Sequence, residues 1–364
     1  MSRNPVTVYG FINAKLRAKI GLMRQDRLSE SLLKAASLVE AVGVLRDSRY
    51  HDVAQAYDQT GDLQQMELVL LQKEIEMYRE VQKYLEGSPS DFVRQLLGKI
   101  EVDNLKNCIR LWYSSIIRHR PIRHRSGYLF KDEMLHQIDW TALINATAWD
   151  GVLSAVKQTP YWDLLKAFTV QNLEQDGLFT LECRLDRFWY DSVMQSTKAL
   201  SKQDREVATS ILLLEIDVRN LTILVRHGWY HHMEAEKLAV LLLPYGSVYA
   251  SPDTQKYLAQ STEQRSPLPI INRYFPSLEQ VQVEQTHLNV HPDEASVLEN
   301  LKIEGFLAAR RQSMYQKLLA TDPFTIGLSL AYFFLCKEES TMIKAILNGK
   351  YYGYEEEYIR GVLG

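Results

Sequence analysis

The residues best suited to specific chemistry are an acid, an amide and an arginine at fixed spacing, and the set occurs twice. Glu101-Val-Asp-Asn104-Leu105-Lys-Asn-Cys-Ile109-Arg110 and Asp217-Val-Arg-Asn220-Leu221-Thr-Ile-Leu-Val225-Arg226 share the pattern acid-x-x-Asn-Leu-x-x-x-β-branched-Arg. A weaker third copy, Glu339-Ser-Thr-Met342-Ile343-Lys344-Ala-Ile-Leu347-Asn348, carries Met342 in place of Asn and Asn348 in place of Arg. The three acids lie 116 and then 122 residues apart. Asn104 and Asn220 interrupt apolar helical stretches, and a buried amide has to find hydrogen-bond partners. Satisfaction inside its own module is the expected role, ahead of direct contact with a partner. Within each intact copy the acid and the arginine are too far apart for one i,i+4 contact, so each is expected to form an ion pair with a neighbouring helix.

Other candidate chemistry is sparse. Arg118-His-Arg-Pro-Ile-Arg-His-Arg125 gathers Arg118, Arg120, Arg123 and Arg125 around a proline that ends the preceding helix. It reads either as a solvated linker or as a contact for anionic headgroups or an acidic partner surface. His231-His232 stands near Glu234 and Glu236, but adjacent histidines point to different sides of a helix and no HxxxH or HExxH spacing completes a metal site. The sequence has no GxxxxGK[ST] loop to cradle a nucleotide phosphate, and GxSxG and GxGxxG are also missing. Neither a catalytic residue nor a cofactor is indicated. Cys108, Cys183 and Cys336 are odd in number and far apart, which suits a reducing compartment better than a disulfide framework. Trp112, Trp149, Trp162 and Trp189 read as packing residues.

Helices must position these groups. Ile12, Leu16, Ile20 and Met23 share one helical face, with Lys15, Arg17, Lys19 and Arg24 around the rest. Leu68, Leu71, Ile75, Tyr78 and Leu85 mark a second helix. Val207, Ile211, Leu214, Val218, Leu221 and Val225 step 4-3-4-3-4, a stripe that only a helix can bury. Sustained two-residue alternation is absent, and the expected fold class is all-α. Each motif copy falls on the second helix of a hairpin whose first helix carries Tyr78, Tyr190 or Tyr315 near its end. The hairpin loops Ser88-Pro89-Ser90-Asp91, Ser201-Lys-Gln-Asp204 and Thr321-Asp322-Pro323 hold helix-start signals. Upstream, Leu32 to Tyr50 resembles Leu143 to Tyr161. Three related modules are expected, at residues 1–125, 126–232 and 233–364.

Bulk properties narrow the function. A chain of 364 residues, 46% apolar, exceeds the roughly 250 to 300 residues at which single cores stop growing. With 42 Lys+Arg against 45 Asp+Glu there is no basic excess for nucleic acid. The most apolar window, Phe324 to Cys336, falls short of the ~20 residues of a membrane span, and the N-terminus lacks the apolar run of a secretory signal. The expectation is a soluble protein that meets membranes only through partners.

The Tyr9-x6-Leu16-Arg17-Ala18 opening, the two Asn-Leu helices with trailing Arg, and the ending form a recognisable series. That ending comprises Asp322-Pro323-Phe324, Lys337-Glu338-Glu339, Gly349-Lys350 and Glu357-Tyr-Ile359-Arg360. Over nearly the whole chain it resembles the C subunit of bacterial and archaeal V/A-type ATPases, the counterpart of the eukaryotic d subunit. The resemblance implies a funnel of three helical modules with pseudo-threefold symmetry, seated on the membrane proteolipid ring and receiving the central shaft. It implies a non-catalytic, cofactor-free peripheral subunit at the cytoplasmic face of the membrane. Its partners would be shaft and ring, and it would couple ATP hydrolysis or synthesis to proton or sodium transport. Met342 and Asn348 depart from the family pattern. A general helical scaffold is the alternative reading, and it would share the stacked hairpins but not the specific ending. A helical enzyme ranks third, since it needs a pocket of convergent titratable groups.

Overall fold

A computed structural model describes residues 4–25, 27–120, 129–274, 312–320 and 322–363. Among these residues the chain is helical throughout its regular structure, with no strand. It divides into two compact units, one of Met1–Arg205 with Leu318–Gly361, the other of Glu206–Lys317 with Val362–Gly364.

The larger unit begins with α1 (Pro5–Gln25), α2 (Leu28–Lys34), α3 (Leu38–Arg46), α4 (His51–Thr60), α5 (Leu63–Gln82) and α6 (Ser88–Trp112). It continues through α7 (Trp140–Ile144), α8 (Trp149–Ala155), α9 (Tyr161–Leu165), α10 (Val170–Asp176) and α11 (Phe179–Thr197). The start of α12 (Lys202–Ile223) also belongs to it. It also holds α18 (Gly327–Tyr351) and most of α19 (Glu356–Leu363).

Local chemistry sets the helix ends. Gly61 closes α4 in the left-handed region (φ 65°), and Asp62 caps α5 by accepting from the Gln64 amide at 2.8 Å. Of the expected start signals, Ser201 caps α12, accepting from the Asp204 amide at 3.2 Å. Pro89 occupies the first turn of α6 as expected, but Ser88 also lies inside that turn, because Gly87, at φ 62°, takes the flanking position. In the third loop Thr321 lies outside the described residues, and Asp322 receives the Phe324 amide at 2.9 Å.

Ile12, Leu16 and Ile20 bury the inner face of α1 against α18, as their spacing predicts. Asn13 on that face donates to the carbonyls of Pro323 and Thr325. On α5 the pattern is broader than one stripe. Met66, Leu70, Met77 and Val81 are buried with Ile75, while Leu68, Leu71 and Tyr78 are half-buried. The cause is that α4, α6 and α18 all pack on α5. Helix α6 lies in a core that includes Leu105, Ile109, Trp112, Trp140, Leu165 and Leu181, and it packs along α11. No described helix is long and apolar enough to cross a membrane.

The smaller unit holds the rest of α12, then α13 (Ala235–Leu241), α14 (Gly246–Ala250), α15 (Pro252–Ala259), α16 (Leu268–Tyr274) and most of α17 (312–319). Val218, Leu221 and Val225 of the stripe join Leu238, Val248, Tyr257 and Ile270 in its core.

Both motif helices end alike. Helix α6 runs into a π-helical turn at Tyr113–Ile117 and α12 into one at Leu224–Tyr230. After each turn a histidine sits at positive φ, His119 at 52° and His232 at 49°. The amides of Arg118 and Arg120 return to the carbonyls of Tyr113 and Ser114, and those of His231 and Met233 return to Arg226 and His227. Within the second turn the Leu224 carbonyl also accepts the Tyr257 hydroxyl at 2.8 Å.

Candidate functional site

The acid and the amide of each intact motif act as a clip on backbone that follows the helix. On α6, Glu101 is fully buried, and one of its oxygens accepts the amides of Leu135 and His136, both at 2.8 Å. The other oxygen takes His136 Nδ1 at 2.7 Å and the Tyr161 hydroxyl at 2.8 Å. Burial and the adjacent Glu101 carboxylate raise the Tyr161 pKa, which keeps that hydroxyl a donor. One turn on, Asn104 donates to the Phe130 carbonyl at 2.8 Å and accepts the Phe130 amide at 3.3 Å.

Helix α12 repeats the device. Asp217 accepts the amides of Ser247 and Val248 at 3.0 and 2.8 Å and the Ser247 hydroxyl at 2.6 Å. Asn220 donates to the Leu243 carbonyl at 3.0 Å and accepts the Leu243 amide at 2.9 Å. Asp is one methylene shorter than Glu, so the clipped backbone must come closer. Gly246 makes that possible, because a Cβ there would collide with the Asp217 carboxylate and its φ of 80° disfavours other residues.

The third copy keeps only part of this. Glu339 on α18 accepts the Tyr50 hydroxyl at 2.5 Å and an Arg49 guanidinium N–H. Burial, then Glu339, raises the Tyr50 pKa, as at Tyr161. Ser48-Arg-Tyr50 and Thr159-Pro-Tyr161 are the matched upstream stretches, so in both cases the acid holds the equivalent tyrosine. Met342 is half-buried at the amide position; Asn348 donates to Glu67 at 2.7 Å and to the Lys344 carbonyl at 2.9 Å.

The cationic positions diverge. Arg110 forms a fork with Glu182 on α11, at 2.6 and 2.5 Å, whereas Arg226 is exposed at the π-helical turn. Lys344 is half-buried. Glu101 and Asp217 are therefore held by backbone amides and hydroxyls, with His136 added at Glu101, and the arginines of their own motifs are elsewhere. In the basic segment, Arg118 stacks on Tyr113 with its guanidinium carbon 5.4 Å from the ring centroid, and Arg120 is exposed. Arg123 and Arg125 lie outside the described residues.

No spacing in the sequence announces a cleft of about 700 Å³ in the larger unit, walled by α1, α5 and α18. Glu339, Arg49 and Tyr50 line it; Met23, Leu70, Met77 and Tyr332 supply apolar surface. Its charges are largely cross-tied. Glu80 binds Lys15 at 2.8 Å and also Lys19, and Lys73 binds Asp52 at 2.8 Å. Burial pushes the Cys336 thiol up to about 12, so it carries little thiolate at neutral pH. Among the described residues no three His, Cys, Asp or Glu side chains are grouped to hold a metal ion.

A family model described as ATP synthase (C/AC39) subunit matches residues 12–362. Among curated proteins, the C subunit of the A-type ATP synthase of Thermococcus kodakarensis is 23% identical over 248 residues, covering 68% of this chain and 64% of the relative. The protein of the same name from Methanosphaera stadtmanae is 23% identical over 220 residues, covering 60% and 54%. These two alignments thus span less than two thirds of the relatives' own length. That from Methanococcoides burtonii is 21% identical over 364 residues, covering 98% and 94%.

Proposed function

Since the chain belongs to the ATP synthase (C/AC39) subunit family, we propose that it is a non-catalytic subunit of a V/A-type rotary ATPase that joins the central shaft to the membrane proteolipid ring. The observation that carries this reading is the family match over residues 12–362 of an all-helical chain. Two further features support it. Torque transmission asks for stiff, close-packed bodies, and the buried clips at Glu101 and Asp217 tie each motif helix to backbone that follows it within its unit. The cross-tied cleft bounded by α1, α5 and α18 would be a receptacle for one partner.

In this reading the three repeats, 1–125, 126–232 and 233–364, form a pseudo-threefold funnel at the cytoplasmic face of the membrane. The basic segment Arg118, Arg120, Arg123 and Arg125 faces an acidic partner or anionic headgroups. ATP chemistry takes place on other subunits. Deleting the chain in its native host tests this directly. ATP-driven ion uptake by membrane vesicles should stop while the released catalytic head keeps hydrolysing ATP, because chemistry and transport communicate only through the rotor. Full uptake in the deletion strain would overturn the proposal, and a scaffold unrelated to the rotor would leave both activities intact.

A further inference from the structure

Thirteen large apolar or aromatic side chains stand exposed among the described residues, and four of them fall between positions 351 and 358. Tyr351, Tyr352, Tyr354 and Tyr358 are 57%, 66%, 49% and 59% exposed. Their rings follow one another at centroid distances of 5.2, 6.2 and 4.8 Å.

The frame beneath these rings is tied at several points. After α18 the chain turns through Gly353 at φ 72°, with the amides of Tyr352, Gly353 and Tyr354 donating to the carbonyls of Asn348, Lys350 and Gly349. Ile359 is buried against Gly349, where a Cβ would come within 2.7 Å of two of its carbons. Arg360 forks onto Glu30 of α2, at 3.1 and 2.9 Å, and bonds Glu356 at 2.8 Å. The tyrosines are exposed on a fixed support.

The uncommitted charge in this stretch is acidic. Glu355 and Glu357 are exposed and form no ion pair among the described residues. The cations in the same stretch are committed, Arg360 to its two glutamates and Lys350 to the Leu33 carbonyl at 2.8 Å.

We propose that this tyrosine and glutamate face is a docking surface for a basic protein segment, whose arginine or lysine side chains lie over the tyrosine rings and pair with Glu355 and Glu357. An aromatic face attracts cations, and a carboxylate beside it attracts the same cation. Tyrosine adds contact area at small ordering cost, and a support that is already rigid lowers that cost further. Tyrosines also favour membrane interfaces, but two unpaired carboxylates repel the anionic headgroups of a cytoplasmic leaflet. The observations therefore favour protein over lipid. The surface is separate from the cleft, and its assignment does not depend on the coupling role.

The test is photocrosslinking in the native host, with benzoylphenylalanine introduced for Tyr354 in the full chain and the crosslinked peptide sequenced. The expected peptide carries two or more Arg or Lys within about two helical turns. Its yield should fall about fivefold or more with Glu355→Lys and Glu357→Lys together, and similarly with Tyr351→Ser and Tyr358→Ser. If the double charge reversal does not accumulate, Glu357→Lys alone should still lower the yield measurably. Crosslinking to lipid, to a peptide without basic residues, or to nothing overturns the proposal, as does a yield indifferent to the charge reversal. A basic segment from a protein outside any rotary ATPase would support the docking surface and count against the coupling role.

Discussion

Helices α6 and α18 carry the same motif position and use it differently. On α6, Glu101 is sealed from solvent and holds two backbone amides, a histidine and Tyr161. On α18, Glu339 lines a cleft with 12% of its side chain exposed and holds Arg49 and Tyr50. The hydrogen bond common to both is the one from tyrosine. On these two helices the acid's shared task is thus to anchor the equivalent tyrosine, Tyr161 or Tyr50, and clipping of following backbone is a second task found where Asn104 stands beside it. Where Met342 replaces the amide, the chain beyond the helix is fixed by Ile359 against Gly349 and by Arg360 on Glu30.

The largest effect that could break this comparison is expected at Glu101. Glu101→Ala would leave two amides and the Tyr161 hydroxyl buried without their acceptor, at about 3 to 5 kcal/mol. Glu339→Ala should cost only about 1 kcal/mol, because Arg49 is partly exposed and can turn to water. Urea unfolding together with hydrogen exchange of residues 129–138 measures both. Equal losses at the two sites would show that the clip contributes nothing beyond the tyrosine bond.

Next in size is Gly246→Ala, which places a Cβ against Asp217 at a positive φ. About 2 to 4 kcal/mol should be lost, with exchange rising first at Ser247 and Val248. An unchanged midpoint would mean that Asp217 can withdraw and that its amide bonds are weak. Smaller again is Met342→Asn, which restores the motif's letter on α18. If no backbone is available there to clip, the half-buried amide should destabilise by about 1 kcal/mol or less. A gain in stability would reveal a backbone partner, and α18 would join the intact class.

The helices were legible because burial leaves a period in the sequence. The α12 stripe and the inner face of α1 could be read by spacing, and so could the buried amides at Asn104 and Asn220. Leu68 and Tyr78 misled because α5 is covered by three helices, so its burial follows no single stripe. The partners of Glu101 were not readable at all. Backbone amides have no residue identity, so Leu135 and His136 bear no mark of the carboxylate that holds them. Gly246 was the one available clue, since a glycine is needed where a short acid approaches backbone closely. The cleft left no sign because its walls come from α1, α5 and α18, far apart in the chain.

The smallest effect concerns acid, and it separates sealed carboxylates from those in the cleft. Burial alone would raise the Glu80 carboxyl, but the bonds from Lys15 and Lys19 outweigh it and hold it below the usual carboxylate range. A carboxyl whose folded value is depressed contributes stability that is complete above its unfolded value, about 4.3, and is lost as pH falls through the lower folded value. The tie between α1 and α5 should therefore be intact at neutral pH and loosen only below about pH 4. Glu80→Gln removes the titration while keeping the shape. The stability difference between wild type and this variant should stay flat from pH 7 to about pH 5 and shrink below it. Because Glu80 is a third exposed, the whole difference should also diminish in high salt. A difference that persisted unchanged to pH 3 would mean that the lysines do not hold Glu80 in solution, and that this wall of the cleft depends on apolar packing alone.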